Sequence, residues 1–80
     1  MERITVYALR FAEGTIYVGL TNNLRRRLEE HQRRQSPSTK RIQGSFRLIY
    51  QKEFAGYREA RRHEKYLKSG SGRKMLQDES

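Results

Sequence analysis

The apolar positions of this chain fall into short segments with two rhythms. Arg3–Phe11, RITVYALRF, and Thr15–Leu20, TIYVGL, are dense in β-branched and aromatic residues and predict two strands. Ala12, Glu13 and Gly14 lie between them. A two-residue turn over Glu13 and Gly14 needs positive φ at both positions, which suits glutamate poorly. A three-residue loop needs it only at Gly14. The longer loop is therefore expected, and it sets a register: Phe11 opposite Thr15, Leu9 opposite Tyr17, Tyr7 opposite Gly19. Tyr7 and Tyr17 then face the same side of the sheet; the shorter turn would place them on opposite sides.

A helical rhythm follows. Thr21, Asn22 and Asn23 are good N-cap residues. The helix they open should run to about Arg34, with Pro37 and the serines around it marking its end. Residues from about Gln35 to Ser45 read as a loop carrying Lys40 and Arg41. Phe46–Phe54, FRLIYQKEF, predicts a third strand with Phe46, Leu48 and Tyr50 on one face. Gly56 opens a second helix over about Tyr57–Lys68, Ser69-Gly70-Ser71-Gly72 stops it, and RKMLQDE adds a short last one. With no repeat and no linker, residues 1–80 read as one domain of order β-β-α-β-α(-α).

Composition narrows the picture. Only 34% of the 80 residues are hydrophobic, so the core is thin. There is no cysteine, hence no disulfide and no thiolate metal site. No apolar run approaches the roughly 18 residues of a membrane span, and no signal peptide opens the chain. A soluble cytoplasmic protein is expected, monomeric by default. Lysine and arginine outnumber acids 18 to 9, a net charge of +9 that attracts polyanions, nucleic acid foremost. An anionic membrane is a weaker fit, because no helix pairs a wide apolar face with a basic one.

Helix phase separates the three consecutive arginines. At about 100° per residue, Leu24, Leu28 and His31 form one core-facing stripe. Arg27 borders it, while Arg25 and Arg26 point elsewhere and offer a solvated basic face for backbone phosphates. Arg27 can grip a phosphate in fixed geometry, or it can snorkel or pair with an internal carboxylate. In the second helix Ala60, His63, Glu64 and Leu67 form the core face. A half-buried Glu64 needs a cation: Arg27 in a structural salt bridge, or a divalent metal that prefers carboxylate oxygen. Tyr7 and Tyr17 also read as ordinary strand residues with their hydroxyls at the rim, and His31 as a satisfied helix histidine. Gly19 reads as close packing at a strand end, and nothing places His63 at a ligand spacing.

Together these residues resemble the GIY-YIG nuclease domain, especially its small bacterial single-domain members. They are also similar to the N-terminal nuclease domain of the excision-repair subunit UvrC and to certain phage homing endonucleases. The first family tripeptide stands here as Thr5-Val6-Tyr7 and the second as Tyr17-Val18-Gly19. The family's helix arginine falls on Arg27, the aromatic or histidine four positions on falls on His31, and the metal-binding glutamate, in the context HEKYLK, falls on Glu64. No single piece is specific; the ordered set is.

The resemblance implies an α/β (α+β) fold, a small three-stranded, mainly antiparallel sheet flanked by helices. It implies metal-dependent hydrolysis of a DNA phosphodiester, duplex or branched, with RNA not excluded. Glu64 would hold one Mg²⁺ or Mn²⁺, Tyr7 would be the general base assisted by Tyr17 or His31, and Arg27 would stabilise phosphate charge. Arg25, Arg26, Arg34, Lys40 and Arg41 would contact the nucleic acid. A tyrosine of ordinary pKa near 10 is a poor base at neutral pH, so metal and arginine nearby are expected to favour the phenolate. The chain departs from the family pattern at Thr5, at Leu20 where repair enzymes carry lysine, and in having no asparagine after the second helix. The contrasting expectation is a basic nucleic-acid-binding module that keeps the fold without useful catalysis.

Overall fold

The structure is a computed structural model and describes residues 3–33 and 45–79. Strands β1 (Ile4–Phe11), β2 (Ile16–Thr21) and β3 (Phe46–Phe54) form one antiparallel sheet in the order β2-β1-β3. The β1–β2 hairpin has the expected three-residue loop. Gly14 adopts φ 103°, the Phe11 N–H donates to Thr15 O at 2.9 Å, and Tyr7 stands opposite Gly19, Leu9 opposite Tyr17.

Helix α1 (Leu24–Gln32) starts where the caps predicted. The Asn23 side chain accepts from Arg26 N at 3.1 Å, and the Thr21 hydroxyl accepts from Asn23 N at 3.1 Å. The helix ends slightly sooner than expected, with Arg33 as C-cap. Arg34, Lys40 and Arg41 lie outside the described residues, so their expected contacts with nucleic acid rest on sequence alone.

The central strand β1 is apolar on both sides because both are covered. Tyr7, Leu9 and Phe11 pack under α1 with Leu24, Leu28, Phe46 and Leu48. Val6 and Ala8 face the opposite way, with Val18, against Ala60 and Leu67 of α2 (Tyr57–Lys68) and Leu76 of α3 (Gly70–Glu79). Among the described residues no helix is long and apolar enough to cross a membrane.

One expectation fails here for a local reason, and one boundary shifts. Phe46, Leu48 and Tyr50 do not share a face. Leu9 pairs with Leu48 but Ala8 pairs with Tyr50, so Ile49 is the extra residue of a β-bulge. The bulge shifts the alternation by one, leaving Phe46 and Leu48 under α1 and sending Tyr50 to the α2 side. The Ser/Gly run ends α2 at Lys68 as expected, but α3 starts sooner: it begins at Gly70, and only Ser69 separates the two helices. Its N–H donates to Tyr66 O at 3.0 Å, and its own carbonyl accepts from Arg73 N at 2.9 Å. One residue thus ends the first helix and begins the second. Gly72 permits the tight corner: a Cβ there would lie inside contact distance of Tyr66 O and 2.5 Å from Leu67 Cα.

Candidate active site

The hairpin register aims Tyr7 and Tyr17 at α1, and the phase of α1 brings Arg27 and His31 down to meet them. Tyr7 is fully buried, its hydroxyl 2.9 Å from His31 Nε2. Arg27 hydrogen-bonds the same hydroxyl and that of Tyr17. A guanidinium only donates, so the Tyr7 oxygen accepts from Arg27. The direction of the Tyr7–His31 hydrogen bond depends on the imidazole tautomer: a neutral ring with its proton on Nδ1 would take the Tyr7 proton at Nε2. Burial, helped by the neighbouring Arg27 cation, indeed holds the His31 pKa below its ordinary value. The rings close around this point, Tyr17 to His31 at 5.2 Å and Tyr7 to Tyr17 at 6.2 Å between centroids.

Gly19 makes the convergence possible. A Cβ there would lie 2.8 Å from Tyr7 Oη and 2.9 Å from Tyr17 Cε2. Close packing was legible in the sequence; that the tyrosines themselves claim the space was not.

The three arginines differ as phase predicted. Arg25 is solvated, its side chain 93% exposed, with Glu29 at 3.7 Å. Arg26 reaches Asn22 Oδ1 at 3.5 Å. Arg27 is largely covered and pairs with Glu30 at 3.0 Å. Burial pulls the Arg27 pKa down, but hydrogen bonds to Tyr7 and Glu30 outweigh it, so its cation is secure. Beside this cluster lies a cleft of about 440 Å³, bordered by Arg26, Arg27 and Glu30 of α1, Leu20 of β2 and Tyr57 of α2.

Packing qualifies two expectations. Arg27 draws the Tyr7 hydroxyl toward phenolate as expected, but burial outweighs that pull. Burial pushes its pKa up to about 12, and the Arg27 hydrogen bond offsets only part of that. Of the two cations the sequence left open for Glu64, Arg27 is not its partner. Glu64 rides on α2, which covers the opposite face of the sheet, and its carboxylate takes Lys68 at 3.3 Å. It shares a helix stripe with Tyr57, seven residues earlier, and Tyr57 borders the cleft. Glu64 thus lies two turns along α2 from Tyr57, mostly covered and apart from the tyrosine cluster.

Among the described residues no three His, Cys, Asp or Glu side chains gather to hold a metal. A lone carboxylate suits Mg²⁺ differently: this ion keeps several waters and binds through one or two carboxylates together with substrate phosphates. A single carboxylate such as Glu64 could serve only a cation whose other ligands are water and phosphate oxygens.

Sequence reasoning missed Glu30 and Tyr57. Glu30 was readable, because it stands three residues after Arg27 on the same helix side. Tyr57 was not, because its place in the cleft depends on how α2 lies across the sheet. His63, whose role the sequence left open, takes Tyr50 Oη at 2.7 Å and stacks between Tyr50 and Tyr66.

The His31 environment has a consequence for stability. An imidazole with a depressed folded pKa binds its proton more readily when unfolded, so its contribution is present above about pH 6.5 and lost as pH falls below it. Urea midpoints should decline from pH 7 toward pH 5, and His31→Gln, whose amide still accepts from Tyr7, should flatten the decline. The slope that persists belongs to His63, also depressed by burial. An unchanged slope in His31→Gln would contradict the assignment.

The hairpin turns two tyrosines inward, and the helix sets arginine and histidine above them. Residues 3–77 match the GIY-YIG catalytic domain, and the chain belongs to the GIY-YIG family, a nuclease family. It is 43% identical over 63 residues to a UPF0213 protein of Nitratidesulfovibrio vulgaris, a match covering 79% of this chain and 57% of that protein. A UPF0213 protein of Oceanobacillus iheyensis is 36% identical over 67 residues, covering 84% of this chain and 78% of that one. The chain thus spans little more than half the length of the first and most of the second. The solution NMR structure of a UPF0213 protein from Bacillus halodurans shares the fold with a TM-score of 0.59 at 29% identity, over 95% of this chain and 83% of that one.

Proposed function

We propose that the protein is a metal-dependent endonuclease that hydrolyses DNA phosphodiester bonds with low sequence specificity. One observation carries the reading: a buried tyrosine hydroxyl held between a guanidinium and a neutral imidazole, over a glycine that leaves room for nothing larger. A packing role for Tyr7 would not require that arrangement.

The chemistry follows from the protonation states. With a pKa of about 12, Tyr7 is phenolate in only ~10⁻⁵ of molecules at neutral pH, so it does not act as a resting base. It acts as a relay. Tyr7 passes its proton to His31 Nε2 as its oxygen takes one from the attacking water. The hydroxide bonds to phosphorus, the P–O bond to the leaving strand breaks, the leaving oxygen takes a proton from solvent water, and the imidazolium releases its proton through Tyr7 back to solvent. Arg27 donates to the phosphate oxygens where charge develops. Glu30 holds Arg27 in the free protein, and the incoming phosphate takes its place. Glu64 would hold the divalent ion, Mg²⁺ or Mn²⁺, which supplies further neutralisation of phosphate charge when bound. Arg25 and Arg26 would contact flanking phosphates, as would Arg34, Lys40 and Arg41. Contacts to phosphate position the substrate without reading sequence.

The test is nicking of supercoiled plasmid in Mg²⁺, Mn²⁺ or EDTA, wild type beside Glu64→Ala. The expected result is metal-dependent nicking, reduced at least ~10²-fold in the variant with DNA binding intact. Binding without nicking in either metal would sink the reading for duplex DNA. A second reading, a binding module without catalysis, draws support from the pairing of Glu64 with Lys68 on the far side of the sheet. It expects Glu64→Ala to change nothing.

A further inference from the structure

The outward face of α2 carries a cluster of charge that the cleft does not use. Arg58, Arg61, Arg62 and Lys65 line a shallow groove of about 610 Å³ together with Tyr57. These cations recur at spacings of three and four residues, so each has a like-charged neighbour one turn away, which destabilises a helix. On α1 the corresponding charges are relieved, Arg25 by Glu29 and Arg27 by Glu30. Among the described residues none of the four α2 cations has a carboxylate partner. Such a helix face gains most from an extended polyanion lying along it.

Tyr57 marks where that polyanion comes from. It borders both the α2 groove and the cleft beside Arg26 and Arg27. The Tyr57 ring is half-exposed, and its hydroxyl accepts from Arg61 Nη1 at 3.2 Å. A half-exposed aromatic ring flanked by arginines, at the junction of two basic clefts, is the arrangement on which unpaired bases stack. A duplex keeps its base faces covered and gains nothing from such a ring.

We propose that the outer face of α2 binds the sugar–phosphate backbone of a single-stranded nucleic-acid segment running out of the cleft, with Tyr57 stacking on an unpaired base at the junction. The proposal rests on the nucleic-acid reading of the cleft and names the substrate class: DNA with a single-stranded portion beside the cut. Over Arg58–Lys65 the helix rises only ~10 Å, so a few consecutive phosphates are engaged.

The test is equilibrium binding in EDTA, where nothing is cleaved, of a labelled oligothymidylate and a duplex of equal length over a salt series. Replacing Arg58, Arg61, Arg62 and Lys65 together by glutamine should weaken oligothymidylate binding at least ~10-fold at low salt and reduce the salt slope by ~2 to 3. A variant losing the same charge elsewhere, with Arg33, Arg47, Arg73 and Lys74 replaced by glutamine, should lose much less. Tyr57→Ala should weaken single-strand binding roughly tenfold and leave the duplex unchanged, with Tyr57→Phe restoring it. Equal losses in the two quadruple variants would reduce the effect to net charge and overturn the proposal. Tyr57→Ala losses equal on both nucleic acids, or absent, would overturn the single-strand assignment. Normal binding by the α2 variant of a protein that nicks plasmid refutes the α2 surface alone. Lost binding by the α2 variant of a protein that never nicks supports the surface and refutes the nuclease.

Discussion

Tyr7→Phe should lower the rate of strand cleavage by about 10²- to 10⁴-fold while leaving DNA binding near that of the wild type, the range expected when a positioned acid–base group is removed. The change deletes a single oxygen. The ring stays in a site where it is fully buried among Leu9, Phe11 and their α1 partners, so the core keeps its shape. What disappears is the link between attacking water and His31. Arg27 and His31 Nε2 also lose a buried partner, a stability cost of about 1–3 kcal/mol that a folded variant should survive. Single-turnover cleavage, measured with anisotropy binding on the same preparations, separates the two effects. The pH profile adds a third readout. In the wild type the relay needs neutral His31, so the rate should fall on the acid side only once that depressed pKa is reached. Cleavage by Tyr7→Phe at the wild-type rate would remove Tyr7 from the mechanism and return it to the core.

The contrast between Tyr7 and Glu64 shows what could be read from the sequence. Tyr7, Tyr17, Arg27 and His31 meet because two local rules agree: a loop length chosen from the steric preference of Glu13 and Gly14, and the phase of a single helix. Neither needs knowledge of distant contacts. Glu64 depends on how α2 lies across the sheet, and its own periodicity says only that it borders the buried face. Its pairing with Lys68, four residues on in the same helix, was readable; that Arg27 lies out of its reach was legible only in three dimensions. The bulge at Ile49 is a similar case. Strand alternation in FRLIYQKEF carries no mark of the extra residue, because Ile49 is as good a strand residue as its neighbours. The rise in the Tyr7 pKa also escaped, since sequence shows the cation beside the phenol but not the completeness of its burial. Where desolvation and a neighbouring charge oppose each other, the winner is set by packing.

The corner between α2 and α3 carries the largest expected effect on stability. Gly72→Ala should destabilise the protein by about 3 kcal/mol, even though alanine is the better helix former by about 1 kcal/mol. The sign is decided by space. The new Cβ would press on Tyr66 O and lie 2.5 Å from Leu67 Cα, and both are backbone atoms inside a helix that cannot rotate away. Relief requires α3 to lift from α2, uncovering Leu67 and Leu76, both fully buried. In a chain of 80 residues this amounts to a fall in melting temperature on the order of 10–20 °C. Gly70→Ala supplies the control. It lies in the first turn of the same helix with nothing within 4 Å of the added atom, so it should be neutral or raise stability by up to ~1 kcal/mol. The pair isolates close approach from helix propensity, because propensity alone gives both substitutions the same sign. Equal melting temperatures would mean that the corner is looser than the packing of Gly72 against Leu67 requires. A large loss confined to Gly72→Ala would show that α3 clamps the helix carrying both Tyr57 and Glu64. Nicking by that variant well below its melting temperature should then fall as well, because the cleft keeps Arg27 in place on α1 while its α2 wall moves.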